Sequence, residues 1–435
     1  MKILVAMPVL PWPLDAGGNV ANCNSLACLQ DDHEFTLVCP VYGEEGEGRA
    51  AALQSHLPKV RVRAVNCGGK APRKRSRREI VLDILRRSAR KCFRVAPSGP
   101  AADVELKEDS PSYVFYPLPE KFVSAVMAEL SQGFDLVQLE YAEMLSLGGS
   151  LPPDIPKLFV HLQIHSVYCE RFAAVRKCGA YTGYLSRMIE IQEEAYLKTF
   201  DGVIVYSDFD KGWLRKWIPD NKLFVSPFPI DGVPAENDDS GAAAHFSFAG
   251  AEMHFPNVDG LEWLTTEVWP EILKEMPGAT LKVIGKWSES AKARLSAPGV
   301  VFSGFVPDFL DALKGRIMLV PIRIGSGIRV KVLESLFNGI TVVSTSIGCE
   351  GIPAADGTEI LIRDDAKKFA DAAVQLATDG ELRARLRAAG KDLITRVYSP
   401  GVVRRQRNEL YRNLLLRKQE SAGIAAGIHL SNSGG

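Results

Sequence analysis

The sequence predicts an α/β fold of two doubly wound parallel-sheet domains that face a cleft. Short β-branched or aliphatic runs alternate with longer helical stretches in both halves of the chain, a pattern typical of parallel strands joined by crossover helices. The chain has 435 residues, which is too long for a single hydrophobic core. Ligands of such sheets bind beyond the carboxyl ends of the strands, so we expect the functional site in the cleft between the domains.

Short apolar runs predict the strands of each half in order. Those of the first half are residues 2–6, 35–39, 60–65, 135–139, 157–161 and 202–206. Those of the second half are residues 245–249, 280–284, 300–303, 317–321, 340–344 and 359–362. Because helical stretches separate the runs, each half is predicted to build its own sheet.

A polar run of small residues at 233–244 has no hydrophobic periodicity and predicts the domain boundary. We therefore predict an N-terminal domain over residues 1–235 and a C-terminal domain over residues 244–400. A basic amphipathic helix over residues 401–420 has leucines on one side, and we expect it to pack back on the N-terminal domain.

The composition is that of a soluble globular protein, with 46% hydrophobic and 24% charged residues. Lys and Arg total 52 and so do Asp and Glu, which gives no overall attraction to nucleic acid. No apolar run approaches the roughly 18 residues that suggest a membrane span, and we expect no signal peptide. The eight cysteines have no regular spacing, which predicts reduced thiols and a cytoplasmic location.

A glycine turn that runs into a helix is the most informative motif of the chain. Gly325 and Gly327 precede a helical run that carries Arg329, Lys331 and Glu334, and a buried strand precedes the turn. The N–H groups and positive dipole end of a helix attract phosphate, and glycines let the backbone approach it closely. Lys331 and Glu334 share a helical face, so one ligand can meet both charges. The alternative is an ordinary loop with a surface ion pair.

The second half resembles family 4 glycosyltransferases and is most similar to the exopolysaccharide or PEP-CTERM-type branch. The motifs that carry the resemblance are FAG at 248–250, Met253, PNVD at 256–259, VIG at 283–285, SGFVPD at 303–308, GSGIRVKVLE at 325–334 and GCEGI at 348–352. The first half matches more loosely, at residues 11–18, 32–34 and 201–210. The resemblance implies a GT-B fold with two Rossmann-like domains. It also implies retaining transfer of a hexose from a nucleotide sugar, without a metal ion bound by the protein or another cofactor.

The resemblance also implies where the donor binds. The departing diphosphate gains negative charge in this reaction, so the site must stabilise it. No Asp-x-Asp motif is evident at a strand end, so Arg329, Lys331 and helix-end amides are expected to replace a magnesium ion. Glu334 matches the carboxylate that holds the ribose hydroxyls. The implied donor-binding positions are Gly17, Gly18, Gly250, Gly285, Phe305, Val306, Gly325, Ser326 and Gly327.

Two departures from the family pattern leave the identity of the donor open. Many members have a glutamate that contacts the donor sugar where this chain has Ser326. Many also have an Arg and a Lys where this chain has residues 252–257. Arg329 and Lys331 are then expected to do more of the phosphate binding. We interpret these differences as those of a subfamily.

Polar residues after the first-half strands are further candidates. His161 and His165 follow a predicted strand and are candidate catalytic residues, although either one is equally compatible with a structural role. A metal pair is less compatible because no third ligand is apparent. Glu140 and Asp208 are candidates for binding the acceptor hydroxyl, with the same ambiguity for Asp210, and the alternative is that these carboxylates face solvent.

Residues 70–94 contain eleven basic residues against two acidic ones. Apolar residues along one edge of this predicted helix favour docking at an anionic bilayer surface. A solvated loop and a crude affinity for nucleic acid are the alternatives, and we expect no specific nucleic-acid partner.

These observations predict a cytoplasmic glycosyltransferase, peripheral at the inner face of the membrane, that acts in glycan or polysaccharide assembly. Its partners are a nucleotide sugar and a saccharide or lipid-linked acceptor. A non-catalytic nucleotide-sugar-binding module is an alternative, and the serine at position 326 keeps it open. A GT-B epimerase or phosphorylase is another, although additional cleft carboxylates or a lysine for pyridoxal are not identified.

Overall fold

The structure is a computed structural model. It describes residues 1–68, 117–176, 179–232, 234, 244–306 and 308–432. The basic window 70–94 lies outside the described residues, as do most of the predicted domain boundary and Pro307 of the SGFVPD motif.

The first half builds one parallel sheet, which has seven strands among the described residues. They are β1 Lys2–Ala6, β2 Glu34–Val41, β3 Arg61–Asn66, β4 Leu136–Glu140, β5 Lys157–His161, β6 Gly202–Val205 and β7 Leu223–Val225. Their order across the sheet is β3-β2-β1-β4-β5-β6-β7. The six strands predicted for this half are confirmed. The three-residue β7 was not predicted because it is too short to show a pattern.

Helices cover this sheet and connect its parallel strands. They are α1 Gly17–Leu29, α2 Gly43–His56, α3 Glu120–Leu130, α4 His165–Arg176, α5 Ala180–Leu197 and α6 Asp208–Leu214. Two 3₁₀ segments, Ala142–Ser150 and Asp220–Lys222, complete the described connections. Strands such as β1 and β4 are buried along almost their whole length, as expected for a sheet covered on both faces.

The second half builds a parallel sheet with six described strands. They are β8 His245–Ala249, β9 Thr280–Ile284, β10 Val300–Gly304, β11 Ile317–Val320, β12 Val342–Ser344 and β13 Leu361–Ile362. Their order is β10-β9-β8-β11-β12-β13. β12 begins two residues later than predicted because the Ile340 amide still donates to the Ser335 carbonyl of the preceding helix, at 2.8 Å. The two sheets confirm the predicted α/β fold class.

The helices of the second half surround its sheet. They are α7 Phe255–Trp263, α8 Trp269–Glu275, α9 Glu289–Arg294, α10 Phe309–Leu313, α11 Val330–Phe337, α12 Ala366–Thr378 and α13 Gly380–Tyr398. A π turn at Leu264–Val268 joins α7 to α8.

Side-chain caps begin many of the helices. The N-cap residues Ser207, Ser288, Asp308, Asp365 and Asp379 each accept a hydrogen bond from a backbone amide in the first turn. Such a cap satisfies an N–H group that has no partner within the helix. α11 begins without a side-chain cap.

The last helix, α14 Pro400–Asn432, returns to the N-terminal sheet. Arg407 is 1% exposed, and its Nε donates to Ser226 Oγ at 3.1 Å. The Tyr411 hydroxyl donates to Gln138 Oε1 of β4 at 2.7 Å. The helix therefore ties the C-terminal part of the chain to the first domain. Within the described residues, none of the helices combines the length and the apolar character that crossing a bilayer requires.

Candidate active site

The glycine loop, residues 325–327, connects β11 to α11 where the two domains meet. Gly325 and Gly327 both have positive φ, 138° and 78°, a conformation that glycine adopts readily. A Cβ on Gly327 would lie only 2.4 Å from the carbonyl oxygen of Leu162 in the first domain. Only glycine therefore permits this approach. Between the glycines, the buried Ser326 accepts a hydrogen bond at its Oγ from the Ile164 amide, at 3.2 Å.

Arg329 directly precedes α11 and turns its guanidinium under the glycine loop. Its Nη1 donates to the carbonyl oxygen of Ser326 at 2.9 Å and to that of Gly327. Its Nη2 is buried and has no hydrogen-bond partner in the part of the chain that the structure describes. Burial lowers the pKa of Arg329 to about 10, so the group stays charged at neutral pH. A buried cation with an unused donor is well suited to an anion, because charge-assisted hydrogen bonds are the strong ones.

Lys331 lies in the first turn of α11 and reaches the carboxyl end of β8. Its Nζ donates to the Ala249 carbonyl at 2.6 Å and lies 3.4 Å from Asn257 Oδ1. It is also 5.1 Å from the ring centroid of Phe248. Burial, with a smaller contribution from the charge of Arg329, lowers the pKa of Lys331 to about 7. An anion bound beside this amine would favour its charged form.

Glu334 follows Lys331 on α11, and the two do not form an ion pair. The Lys331 ammonium turns to the Ala249 carbonyl instead. Burial alone raises the pKa of Glu334 to about 7, so no described cation stabilises its charge. A carboxylate in this position is a ready acceptor for hydroxyl donors of a ligand.

Two further glycines bring the carboxyl ends of β8 and β9 together. A Cβ on Gly250 would lie 2.5 Å from Cγ of Asn257, the residue that contacts Lys331. Gly285 has φ 133°, and a Cβ there would lie 2.2 Å from the Gly250 carbonyl oxygen. Gly250 and Gly285 thus allow close packing beside Ala249 and Asn257, the two residues that Lys331 Nζ contacts.

Phe305 and Val306 follow β10 and have different surroundings. Phe305 is 57% exposed, and the Lys286 Nζ lies 5.6 Å from its ring centroid. Val306 is half-buried and packs against the hydrophobic core. Of the two, Phe305 has the ring that a planar ligand can reach.

The glycine pair at the start of α1 packs against the start of α11. A Cβ on Gly17 would lie 2.9 Å from Cγ2 of Val330, the first residue of α11. A Cβ on Gly18 would lie 2.9 Å from the hydroxyl of Tyr141, which itself has an unusual φ of 72°. The structure thus brings Gly17 beside the helix that carries Lys331 and Glu334.

The two candidate histidines flank the connection between β5 and α4. His161 is buried at the end of β5, and its Nε2 lies 3.3 Å from Glu193 Oε1. Burial lowers the pKa of His165, against the opposing charge of Glu193. Both histidines therefore face one carboxylate of α5.

Glu193 was not predicted from the sequence. It is fully buried and accepts hydrogen bonds from the amides of His165 and Ser166, at 2.7 and 3.1 Å, and from Ser166 Oγ at 2.5 Å. Burial opposes its ionisation, but the contact with His161, the charge of His165 and the Ser166 hydroxyl lower its pKa to about 2. A signal existed, because Glu193 lies four residues from Ile189 and from Leu197 on the buried face of its helix.

A bidentate ion pair joins α4 to the loop after β12. Arg171 Nη1 and Nη2 contact the two carboxylate oxygens of Glu350 at 2.8 and 2.6 Å. Nη1 also donates to the Gly325 carbonyl at 2.6 Å. This contact between the domains was not predicted, although Glu350 lies in the GCEGI motif that carries the resemblance.

Glu140 ends β4 and is 2% exposed. It accepts a hydrogen bond from Gln138 Nε2 at 2.6 Å, and burial raises its pKa to about 7. The structure places this acceptor candidate beneath the surface, within electrostatic range of Arg407 on α14.

Asp208 and Asp210 begin α6 and differ in exposure. Asp208 is exposed. Asp210 is buried and accepts a hydrogen bond from Ser207 Oγ at 2.7 Å. Burial raises the pKa of Asp210, whereas Ser207 and the charges of His161 and Arg329 lower it. His161 and Arg329 therefore converge on one carboxyl from the two domains. No cluster of three or more potential metal-ligating His, Cys, Asp or Glu side chains occurs in the described ranges.

Residues 244–379 match the family model of glycosyl transferases group 1. A protein of Klebsiella pneumoniae, described as an uncharacterized 44.6 kDa protein in the cps region, is 26% identical over 184 residues. That alignment spans 40% of this chain and 46% of the relative.

Solved structures share the whole two-domain fold. Sucrose-phosphate synthase from Thermosynechococcus elongatus superposes with a TM-score of 0.66 and 15% identity, over 96% of this chain and 100% of that chain. TarM of Staphylococcus aureus gives a TM-score of 0.65 and 11% identity, over 95% and 99%. HepE of Anabaena in complex with UDP gives 0.62 and 13%, over 95% and 100%. The fold is therefore GT-B, and the match of its second domain supports a glycosyltransferase of group 1.

Proposed function

We propose that the protein is a retaining glycosyltransferase that moves a hexose from a nucleotide diphosphate sugar to a saccharide or lipid-linked saccharide. The observation that carries this proposal is the start of α11, where Arg329 and Lys331 lie beside a helix terminus without a side-chain cap. Structures with the same fold support it, since HepE was solved with UDP-glucose, and a TarM variant with UDP and α-GlcNAc-glycerol.

The diphosphate binds at the start of α11 in this proposal. The unused Nη2 of Arg329 donates to a phosphate oxygen, and uncapped N–H groups of the helix donate to others. Lys331, with a pKa of about 7 in the free protein, takes up a proton as the phosphate binds. These groups stabilise the charge that develops on the departing diphosphate, and we expect transfer to proceed without a divalent metal ion.

Glu334 holds the ribose of the donor. Its carboxylate, whose pKa burial raises to about 7, gains two hydroxyl donors from the ribose and becomes fully ionised when they bind. Phe305, with its exposed ring, is then placed to contact the base.

The transfer breaks the bond between the anomeric carbon and the diphosphate oxygen. A bond from the acceptor oxygen forms on the same face of the sugar, and the acceptor proton goes to the departing phosphate oxygen. His161, whose charge acts on Asp210 together with that of Arg329, is the first-domain group that we assign to the sugar. A location in the cytoplasm at the inner membrane face, with docking through the basic window 70–94, completes the proposal.

Donor turnover tests the function directly. We expect one of a panel of nucleotide sugars to raise the melting temperature and to release free nucleotide diphosphate in the presence of EDTA. Glu334→Ala should abolish both effects, whereas Glu262→Ala, in the same domain and with a side chain that is 46% exposed, should preserve them. A thermal shift without release, with any acceptor offered, would favour a nucleotide-sugar-binding module, and no shift with any donor would refute the proposal.

A further inference from the structure

The connection between the two histidines touches the glycine loop. Residues 162–164 join β5 to α4. The Leu162 carbonyl faces Gly327, and the Ile164 amide donates to Ser326 Oγ. The position of this connection therefore decides how the first domain meets the residues that precede α11.

Glu193 holds both ends of that connection. At one end, its Oε1 lies 3.3 Å from Nε2 of His161. At the other end, Oε1 accepts from the His165 amide and Oε2 from the Ser166 amide. The Ser166 hydroxyl adds a third hydrogen bond. One side chain of α5 thus makes a charge contact, without a hydrogen bond, with a candidate catalytic histidine and accepts hydrogen bonds from the first turn of α4.

Packing alone does not explain a carboxylate in this place. A fully buried carboxylate is costly unless donors and positive charge surround it. An apolar side chain of similar volume would fill the space without that cost. The three donors and the positive end of α4 offset the cost of burying this charge. The contact of the carboxylate with the imidazole of His161 gives it a role beyond packing.

Charged groups from three elements face His161. They are Glu193 on α5, His165 on α4 and Asp210 on α6. Burial raises the pKa of Asp210, whereas that of Glu193 is about 2. Glu193 is therefore the carboxylate that stays ionised beside His161 throughout the neutral range.

We propose that Glu193 is a positioning residue of the sugar transfer, an inference that rests on the proposed function. It orients the imidazole of His161 toward the donor sugar and fixes residues 162–164 against the glycine loop. It does not touch the substrate and acts through these groups.

Glu193→Gln tests this role in the full-length protein, with a nucleotide sugar that the wild type turns over. Glutamine keeps the size but has one acceptor oxygen, so it cannot satisfy all the donors. We expect kcat to fall about 100-fold, with donor KM changed little, because a small misplacement of a reacting group has this effect. Glu129→Gln is the control, since Glu129 is buried as well and pairs with Arg61 at the sheet edge away from the cleft.

A double variant separates positioning from general damage. Because Glu193 acts in part through His161, Glu193→Gln should slow turnover less in a His161→Ala background than in the wild type. Losses that add up in the double variant would overturn the proposal. So would a wild-type kcat for Glu193→Gln, or an equal loss in Glu129→Gln.

Amide hydrogen exchange gives a readout that does not depend on turnover. The His165 and Ser166 amides should exchange faster in Glu193→Gln than in the wild type or in Glu129→Gln. Unchanged exchange would show that Glu193 does not hold the first turn of α4, and it would overturn the proposal. A wild-type protein that turns over no nucleotide sugar would overturn the proposed function and the positioning role with it. Faster exchange in Glu193→Gln would still show that Glu193 holds the first turn of α4.

Discussion

Two helices, α11 and α4, begin at the cleft from opposite domains, and different groups lie at their N-termini. The start of α11 has no side-chain cap and has Arg329 and Lys331 beside it. The start of α4 already holds a carboxylate of the protein, because Glu193 accepts its amides of His165 and Ser166. Both termini attract an anion for the same physical reason. In the proposed function the first binds the donor diphosphate, whereas the second fixes the structure.

The difference explains why buried cations and a buried carboxylate lie on facing sides of one cleft. Glu193 meets enough donors to stay ionised, with a pKa of about 2. Burial and the added positive charge of Arg329 instead lower the pKa of Lys331 to about 7. A buried charge that protein groups already neutralise gains little from a ligand. A buried cation without an anionic partner is stabilised when an anionic ligand binds.

Removing the unmatched charge should have the largest effect. For Arg329→Ala we expect kcat/KM for the donor to fall about 1000-fold, as when one electrostatic group of a phosphate site is lost. Arg294→Ala is the control, because Arg294 pairs with Glu262 on the exposed surface of the same domain. Steady-state release of nucleotide diphosphate measures both variants. A loss of less than about tenfold for Arg329→Ala would place the diphosphate elsewhere.

The pH dependence of nucleotide binding sharpens the same contrast. Lys331 loses its proton as the pH rises through about 7, and Glu334 gains one as the pH falls through about 7. Affinity for a nucleotide diphosphate sugar, whose phosphates do not titrate in this range, should therefore pass through a maximum near pH 7. Each limb should approach about a tenfold loss per pH unit.

Glu334→Gln isolates one limb of that profile. It removes the group responsible for the acid limb, so affinity should stay level below pH 7 and still fall above it. Isothermal titration from pH 5 to pH 9 gives the profile. A wild-type affinity that does not change with pH would show that neither group titrates when the ligand binds.

The parts of the site that the sequence predicted are local, and the parts it missed are not. Gly325, Gly327 and Lys331 lie within one strand-turn-helix unit, where periodicity and glycine placement are visible along the chain. Glu193 meets its partners 27 and 28 residues away, and Arg171 meets Glu350 across 179 residues. Such pairs depend on how crossover helices and domains pack, which spacing along the chain does not encode.

The strands followed the same rule. β1 and β8 are each buried over four of their five residues, and their bounds were predicted to the residue. β13 begins at Leu361 instead of residue 359, because Glu359 Oε2 accepts the Ala355 amide at 2.8 Å in a turn. A side-chain contact of this kind moves an element boundary without changing the pattern.

The ion pair between the domains should have a smaller effect than the unmatched charges. Glu350→Gln weakens the contact with Arg171, whose side chain is 21% exposed against 11% for Glu350. We expect about 2 kcal/mol of lost stability, between the values for surface and buried pairs. Urea unfolding measures the loss. Glu190→Gln is the control, because the side chains that pair with Glu190, Arg187 and Lys216, are 65% and 42% exposed. Equal losses in the two variants would mean that the pair contributes no more than a surface contact.

The smallest effect should come from Ser326, whose side chain contacts the connection that leads into α4. Ser326→Ala leaves the Ile164 amide without its 3.2 Å acceptor, and a lost hydrogen bond of this kind costs about 1 kcal/mol. Faster hydrogen exchange at Ile164, with donor KM rising a few-fold, would be the expected result.

Ser55→Ala provides the comparison, because Ser55 is exposed and its hydroxyl donates only within α2, to the Ala51 carbonyl. If Ser326→Ala and Ser55→Ala leave Ile164 exchange equally unchanged, then the serine does not join the two helix starts. The glycine loop would in that case be held to the first domain by Arg171 and by the close approach of Gly327 to Leu162. If Ile164 exchange becomes faster only in Ser326→Ala, then the Ser326 hydroxyl joins the two sides of the cleft. It links the connection that Glu193 holds in the first domain to the loop that precedes Arg329 and Lys331 in the second.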